Sequence, residues 1–135
     1  MGYTHYIKRI GDLSKKNRAK WIEHTNGIIR LYNKTADASD MVVSCGEETL
    51  TLSDDLVRVN GYAEKGHETL YISVNGVNSE DFCKTAMKPY DAVVVACYKL
   101  AENMFPCVRF SSDGDSVDHI EGLKLLKEYS DLINA

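Results

Sequence analysis

The sequence predicts an α+β domain with a mostly antiparallel sheet, and three observations carry that expectation. Short runs of β-branched and aromatic residues, punctuated by Gly, Asn and Asp, fill the middle third of the chain. Stretches with apolar residues at helical spacing stand before and after them. The 135 residues, 44% hydrophobic and 27% charged, suffice for one ordinary domain around one core. The expected order is β-α-β-β-β-β-α-β-α, two to three helices grouped around the sheet.

Tyr3 to Ile10 is rich in aromatic and branched residues and reads as the first strand, although neither alternating face is purely apolar. Ser14 can cap a helix running to about Lys34, in which Trp21, Thr25, Ile28 and Tyr32 recur on one side. The other side, Lys15, Lys16, Arg18, Lys20, Arg30 and Lys34, reads as a solvated basic face. After a polar connection, Met41–Ser44, Thr49–Leu52, Leu56–Asn60 and Thr69–Val74 read as a meander, with Asn60-Gly61 among its turns. Asn75-Gly76 and Asn78-Ser79 make a further turn before Phe82. Pro89 suits the first position of the next helix, which is apolar on nearly every side and closes at Pro106. Cys107–Phe110 reads as a strand and Ser111 to Asp115 as a tight turn. Asp118 with Glu121 forms a capping box for the final helix, which carries Ile120, Leu123, Leu126 and Ile133.

Composition excludes several classes of function. A net charge of −4 with interspersed acids and bases argues against generic binding of duplex nucleic acid. The four cysteines are scattered, without the close spacing of a zinc knuckle or a redox dithiol, and are expected to be reduced thiols. MGYTHYIKRI lacks the apolar stretch of a signal peptide, and Ala92–Cys97 is far too short to cross a bilayer. The expected location is the cytoplasm.

The chemistry-bearing residues gather in a few places. In Phe82-Cys83-Lys84-Thr85-Ala86-Met87-Lys88-Pro89-Tyr90-Asp91, two lysines and a threonine hydroxyl approach a helix start, which suits an anion. Tyr90 can bond a ligand or stack on a base. The plain reading of the same stretch is solvated lysines, a packed Tyr90 and an Asp91 that favours the helix start. Ser111-Ser112-Asp113-Gly114-Asp115 follows a strand, where its carboxylates can hold magnesium or act as a base, or serve only the turn. His5, His67 and His119 lie on separate segments and could form a metal site with Asp113, but they have no metal-ligand spacing, so no metal is expected; no cofactor is expected either. A Ser111 or Ser112 hydroxyl with His5 or His119 has no nucleophile-elbow motif behind it.

Gly2-Tyr3-Thr4-His5-Tyr6, Asn60-Gly61 with His67-Glu68, Phe82-Cys83-Lys84-Thr85 with Lys88-Pro89-Tyr90-Asp91, and Ser111-Ser112-Asp113-Gly114 together resemble a family of small proteins from bacteriophages, prophages and some bacterial genomes. The resemblance spans nearly the whole chain and brings no activity with it. Two positions depart from the pattern: Ile7 stands where a tryptophan usually follows the opening motif, and Met87 where a basic residue often precedes Lys88-Pro89. One ligand pocket formed by His5, Tyr6, Lys84, Thr85, Lys88, Tyr90, Asp91, Ser112 and Asp113 would account for all these blocks. The resemblance implies a phage accessory protein, and the phosphate- and base-binding chemistry of these residues suits one that sequesters a phosphorylated small molecule, a nucleotide immune signal of the host, without cleaving it. The alternatives are an inhibitor of a host defence complex that acts by protein–protein contact, as anti-CRISPR proteins do, and a nucleotide hydrolase using His5 or Asp113 as base. The protein can also be a homo-oligomer, with a pocket at the subunit boundary.

Overall fold

The computed structural model describes residues 3–76 and 78–134. Gly2 of the opening motif therefore lies outside the described residues. The strands are β1 (Thr4–Lys8), β2 (Val42–Ser44), β3 (Leu56–Gly61), β4 (Leu70–Ser73), β5 (Glu80–Lys84) and β6 (Arg109–Ser112). The helices are α1 (Lys15–Thr35), α2 (Asp91–Met104) and α3 (Ile120–Ile133). The fold is a single-domain α+β arrangement, as the sequence predicts. Its strands nevertheless form two antiparallel three-stranded sheets, ordered β5-β1-β6 and β2-β3-β4.

The helices occupy the space between these sheets. α1 packs against β3 and β4, α2 packs against β1 and β6, and both helices touch one another and α3. Trp21, Ile22, Ile28 and Ile29 of α1 and Val93, Val94, Cys97 and Tyr98 of α2 are buried in one core with Ile7, Val57, Val59, Leu70 and Ile72. Each such side chain contributes about 1.5–3 kcal/mol when withdrawn from water. The Trp21 indole N–H donates to the Cys97 carbonyl at 3.1 Å, so its polar atom is satisfied inside. α3 lies close to α2 because Gly122 has no side chain; a Cβ there would overlap Val95.

Local chemistry explains where the elements begin and where expectation slips. Ser14 caps α1, accepting from the Asn17 amide at 3.1 Å. Arg18 does not share the solvated basic face: it is 4% exposed and donates to the Ile10 carbonyl at 2.6 Å. Thr49–Leu52 is not a strand; Ser44 holds it by accepting from the Thr51 amide at 2.8 Å. Asn60-Gly61 ends β3 instead of making a turn, and the Asn60 side chain closes the following loop onto the backbone of His67. The last strand is shifted two residues toward the C-terminus, to Arg109–Ser112, because Pro106 and Cys107 complete a turn. Asp118 accepts from the Asp115 amide and leaves His119 as the residue before α3, so the expected capping box does not form.

Strand alternation gives the β5-β1-β6 sheet two unlike faces. His5 and Ile7 point inward with Cys83, their neighbours Asp81, Phe110 and Ser112 sharing that side by register. Thr4, Tyr6 and Lys8 share the other side with Glu80, Phe82, Lys84, Arg109 and Ser111.

Candidate functional site

The expected single pocket is divided by the sheet. On the inner face, His5 is fully buried and links three elements. Its Nδ1 lies 2.8 Å from the Ser112 Oγ at the end of β6, and its Nε2 lies 2.6 Å from an Asp91 carboxylate oxygen at the start of α2. The hydroxyl of Thr85, itself buried, donates to the same Asp91 oxygen. The Gly114 amide donates to Ser112 Oγ at 3.0 Å.

These contacts set one end of the chain of hydrogen bonds. The Asp91 carboxylate only accepts, so His5 donates to it from Nε2. The Ser112 hydroxyl accepts from the Gly114 amide and has a proton of its own within reach of Nδ1. Around this relay stand Tyr3, edge-on to His5 with ring centroids 5.0 Å apart, and His119, with centroids 5.6 Å from His5. The Tyr3 hydroxyl and the His119 Nε2 are buried without a hydrogen-bond partner. Burial, then the carboxylate of Asp91, pushes the Tyr3 phenol up to about 12, so it keeps its proton at neutral pH. Burial and then His5 lower His119, which favours its neutral form.

The segment between β5 and α2 reaches the helix through a strained turn. Ala86 and Met87 have φ of 52° and 59°, and the Lys88 amide donates to the Thr85 carbonyl at 3.0 Å. Two successive left-handed residues make a primed turn, a position that Asn-Gly fills at much lower cost. The start of α2 does not offer the expected anion site. The Asp91 amide donates to Lys88, those of Val93 and Val94 donate to Tyr90, and the Asp91 carboxylate supplies the negative charge that the dipole favours. Tyr90 is 1% exposed and donates to the Glu68 carbonyl at 2.6 Å, so it cannot stack on a ligand. Cys83 beside it is buried, which pushes its thiol up to about 12 and leaves it unreactive.

The outer face is different. Tyr6 on the central strand stands directly opposite Phe82, which is 56% exposed. Lys84 stands opposite Thr4, and Lys8 opposite Glu80. The ammonium groups of Lys8, Lys84 and Lys88 have no hydrogen-bond or ion-pair partner among the described residues. Arg109 is drawn to the carbonyl groups of Pro106 and Val108 at 2.7 and 3.0 Å. Asp113 is already engaged, accepting from the Thr4 amide at 3.1 Å and the Tyr6 hydroxyl at 3.3 Å.

Of the predicted site residues, His5, Thr85, Asp91 and Ser112 thus meet inside, while Tyr6 and Asp113 meet at the outer face and Lys84 shares that face across β1. Lys88 is half-buried in the turn before α2. Phe82, Lys8 and Tyr3 complete the two arrangements without having been among the candidates, and His119, weighed only as a metal ligand or a serine's base, stands beside His5. Period-two alternation through Glu80–Lys84 is the signal that places Phe82 beside Tyr6. His67 is exposed elsewhere, and no group of three His, Cys, Asp or Glu residues among those described can hold a metal ion. An open cleft of about 440 Å³ beside β2, lined by Asn33, Met41, Val42, Leu50 and Tyr62 among others, contains none of the predicted site residues. No helix among the described residues is long and apolar enough to cross a membrane. Comparison with protein-family models, with curated proteins and with solved structures gives no match to this chain.

Proposed function

We propose that this protein binds a phosphorylated ligand carrying a planar base on the outer face of the β5-β1-β6 sheet and holds it without cleaving it. One observation carries the reading: Tyr6 and Phe82 occupy directly opposite positions of β1 and β5 on the outer sheet surface, flanked by Lys8 and Lys84, whose ammonium groups have no partner among the described residues. Opposite residues on adjacent strands have Cβ atoms about 5 Å apart, so both side chains start within reach of one planar ligand. Base–aromatic stacking contributes about 1–3 kcal/mol per base, and lysines supply the phosphate contacts. Nothing on this face activates a nucleophile. In the phage setting that the resemblance implies, the role is counter-defence by sequestration of a nucleotide signal in the host cytoplasm.

The test is thermal unfolding against linear and cyclic nucleotides, with and without magnesium, followed by chromatography of the recovered ligand. A ligand at 100 times its dissociation constant stabilises the fold by about 2.7 kcal/mol. The reading predicts a shift with intact ligand, abolished by Tyr6→Ala with Phe82→Ala. No shift with any nucleotide would overturn it. A second reading, inhibition of a host defence complex by protein–protein contact, draws on exposed Val117, Ile120 and Leu123, which are 69%, 55% and 39% accessible at the entry to α3. Substituting these residues would then remove activity that the outer-face variants retain.

A further inference from the structure

The inner-face relay has more organisation than a structural brace requires. A brace between β1, β6 and α2 is complete once His5, Asp91 and Ser112 are bonded, yet the Tyr3 hydroxyl close to Ser112 is buried with no group in hydrogen-bond geometry. Buried hydroxyls without partners are uncommon and call for an explanation. Tyr3 is held there by the close approach of its ring to Gly114, where any Cβ would overlap it. The outcome is a hydroxyl within hydrogen-bond reach of an imidazole, an imidazole oriented by a carboxylate, and a donor over the turn that carries the hydroxyl. Those are the parts of base-assisted acyl transfer.

We propose that Ser112 is an activated nucleophile for a small uncharged carboxylic ester, with His5 as its base, Asp91 as the positioning residue and Tyr3 as the oxyanion donor. Ser112 Oγ attacks the ester carbon and its proton passes to His5 Nδ1. The imidazolium is stabilised by Asp91 through Nε2–H, and the tetrahedral oxyanion accepts a hydrogen bond from Tyr3. Collapse expels the alcohol, which takes the proton from Nδ1. Water then attacks the acyl-serine, gives a proton to Nδ1, and releases the acid as the proton returns to Oγ. The overall change is ester and water to acid and alcohol.

The surroundings select the substrate. Three carboxylates stand near the relay, Asp91 bonded to His5 and Asp115 with Asp118 in the turn that follows Ser112, and they disfavour a phosphorylated or carboxylated ligand. Ser112 is only half-buried, but Tyr3 stands over its turn, which limits the acyl group to a short one. A neutral His119 beside His5 adds no charge to oppose the imidazolium that forms.

An alkyl fluorophosphonate reports on the hydroxyl directly, since Oγ displaces fluoride and leaves a stable adduct. With the full chain, peptide mass mapping should place the adduct on Ser112, at a rate that rises sigmoidally with pH as one base loses its proton. Asp91→Asn should slow labelling at least a hundredfold through the wrong histidine tautomer. Ser111→Ala, on the opposite face, should leave labelling unchanged. Tyr3→Phe should slow hydrolysis of p-nitrophenyl acetate by about a hundredfold while retaining the adduct. Absence of an adduct on Ser112 in folded wild-type protein would overturn the proposal, as would a rate that climbs in simple proportion to hydroxide. Both readouts use the unmodified chain, so they stand even where a variant fails to fold.

Discussion

The two faces of the β5-β1-β6 sheet are built from alternate residues of the same strands and have opposite relations to water. Inside, the His5 ring nitrogens are both bonded, and the Asp91 carboxylate receives two donors. Outside, Tyr6 and Phe82 take opposite positions on adjacent strands, near lysines that have no partner among the described residues. The inner face contributes to stability through polar groups whose loss leaves charges stranded. The outer face presents groups whose loss the fold hardly registers. A side chain's position along a strand thus decides whether its polarity serves the fold or a ligand.

Substitutions on each face should separate these roles, and the largest effect belongs inside. His5→Ala removes the shared partner of Asp91 and Ser112, leaving the Asp91 carboxylate with Thr85 alone and Ser112 Oγ with the Gly114 amide alone. Urea denaturation should show a loss of about 2–5 kcal/mol. A loss below about 1 kcal/mol would mean the inner face is solvated and the contrast is false. Outside, Tyr6→Ala with Phe82→Ala should abolish nucleotide binding, costing about 1–3 kcal/mol of affinity per stacked base. Circular dichroism of this double variant should remain that of the folded protein. Lys8→Ala and Lys84→Ala should each weaken binding more modestly and lower its salt dependence by about one counterion, read from affinities at several salt concentrations.

Smaller effects sharpen the picture of the joint between the faces. Ala86→Gly or Met87→Gly relieves a left-handed non-glycine residue, at the expense of a more flexible unfolded chain. A net stabilisation of about 0.5–1 kcal/mol is expected from thermal melts. The smallest effect concerns acid. His119 binds a proton less readily folded than unfolded, because burial and then His5 lower its pKa. Its contribution is therefore present above the unfolded value of about 6.5 and is lost as pH falls through the lower folded value. His119→Gln should flatten the dependence of stability on pH in that window.

Much of this was legible in the chain. The helical spacing of Trp21, Thr25, Ile28 and Tyr32 and the Ser14 cap are local signals, and α1 follows them. The residues of the relay were recognised as polar outliers in short motifs, but their separation was not recoverable. His5, Asp91 and Ser112 meet only because β6 pairs with β1 in a register that sets Ser112 opposite His5. Phe82 was obscured by a different cause. Its strand is short and runs into the Lys84–Asp91 stretch, so its alternation was masked by the attraction of the lysines to a helix start. That attraction proved weak, since Asp91 already supplies the charge there. Arg18 escaped notice because a buried arginine bonded to a carbonyl looks, by spacing alone, like any other residue of a basic face.

The most direct measurement is a two-dimensional NMR titration of the labelled chain with the nucleotide that most raises its melting temperature, or with the full panel at high concentration if none does. The account predicts amide shifts concentrated at Tyr6, Lys8, Phe82 and Lys84, with Trp21 and Cys97 in the core unmoved. Shifts centred on another surface, or none at any concentration, would contradict the claim that the open face of this sheet is where the protein meets its ligand.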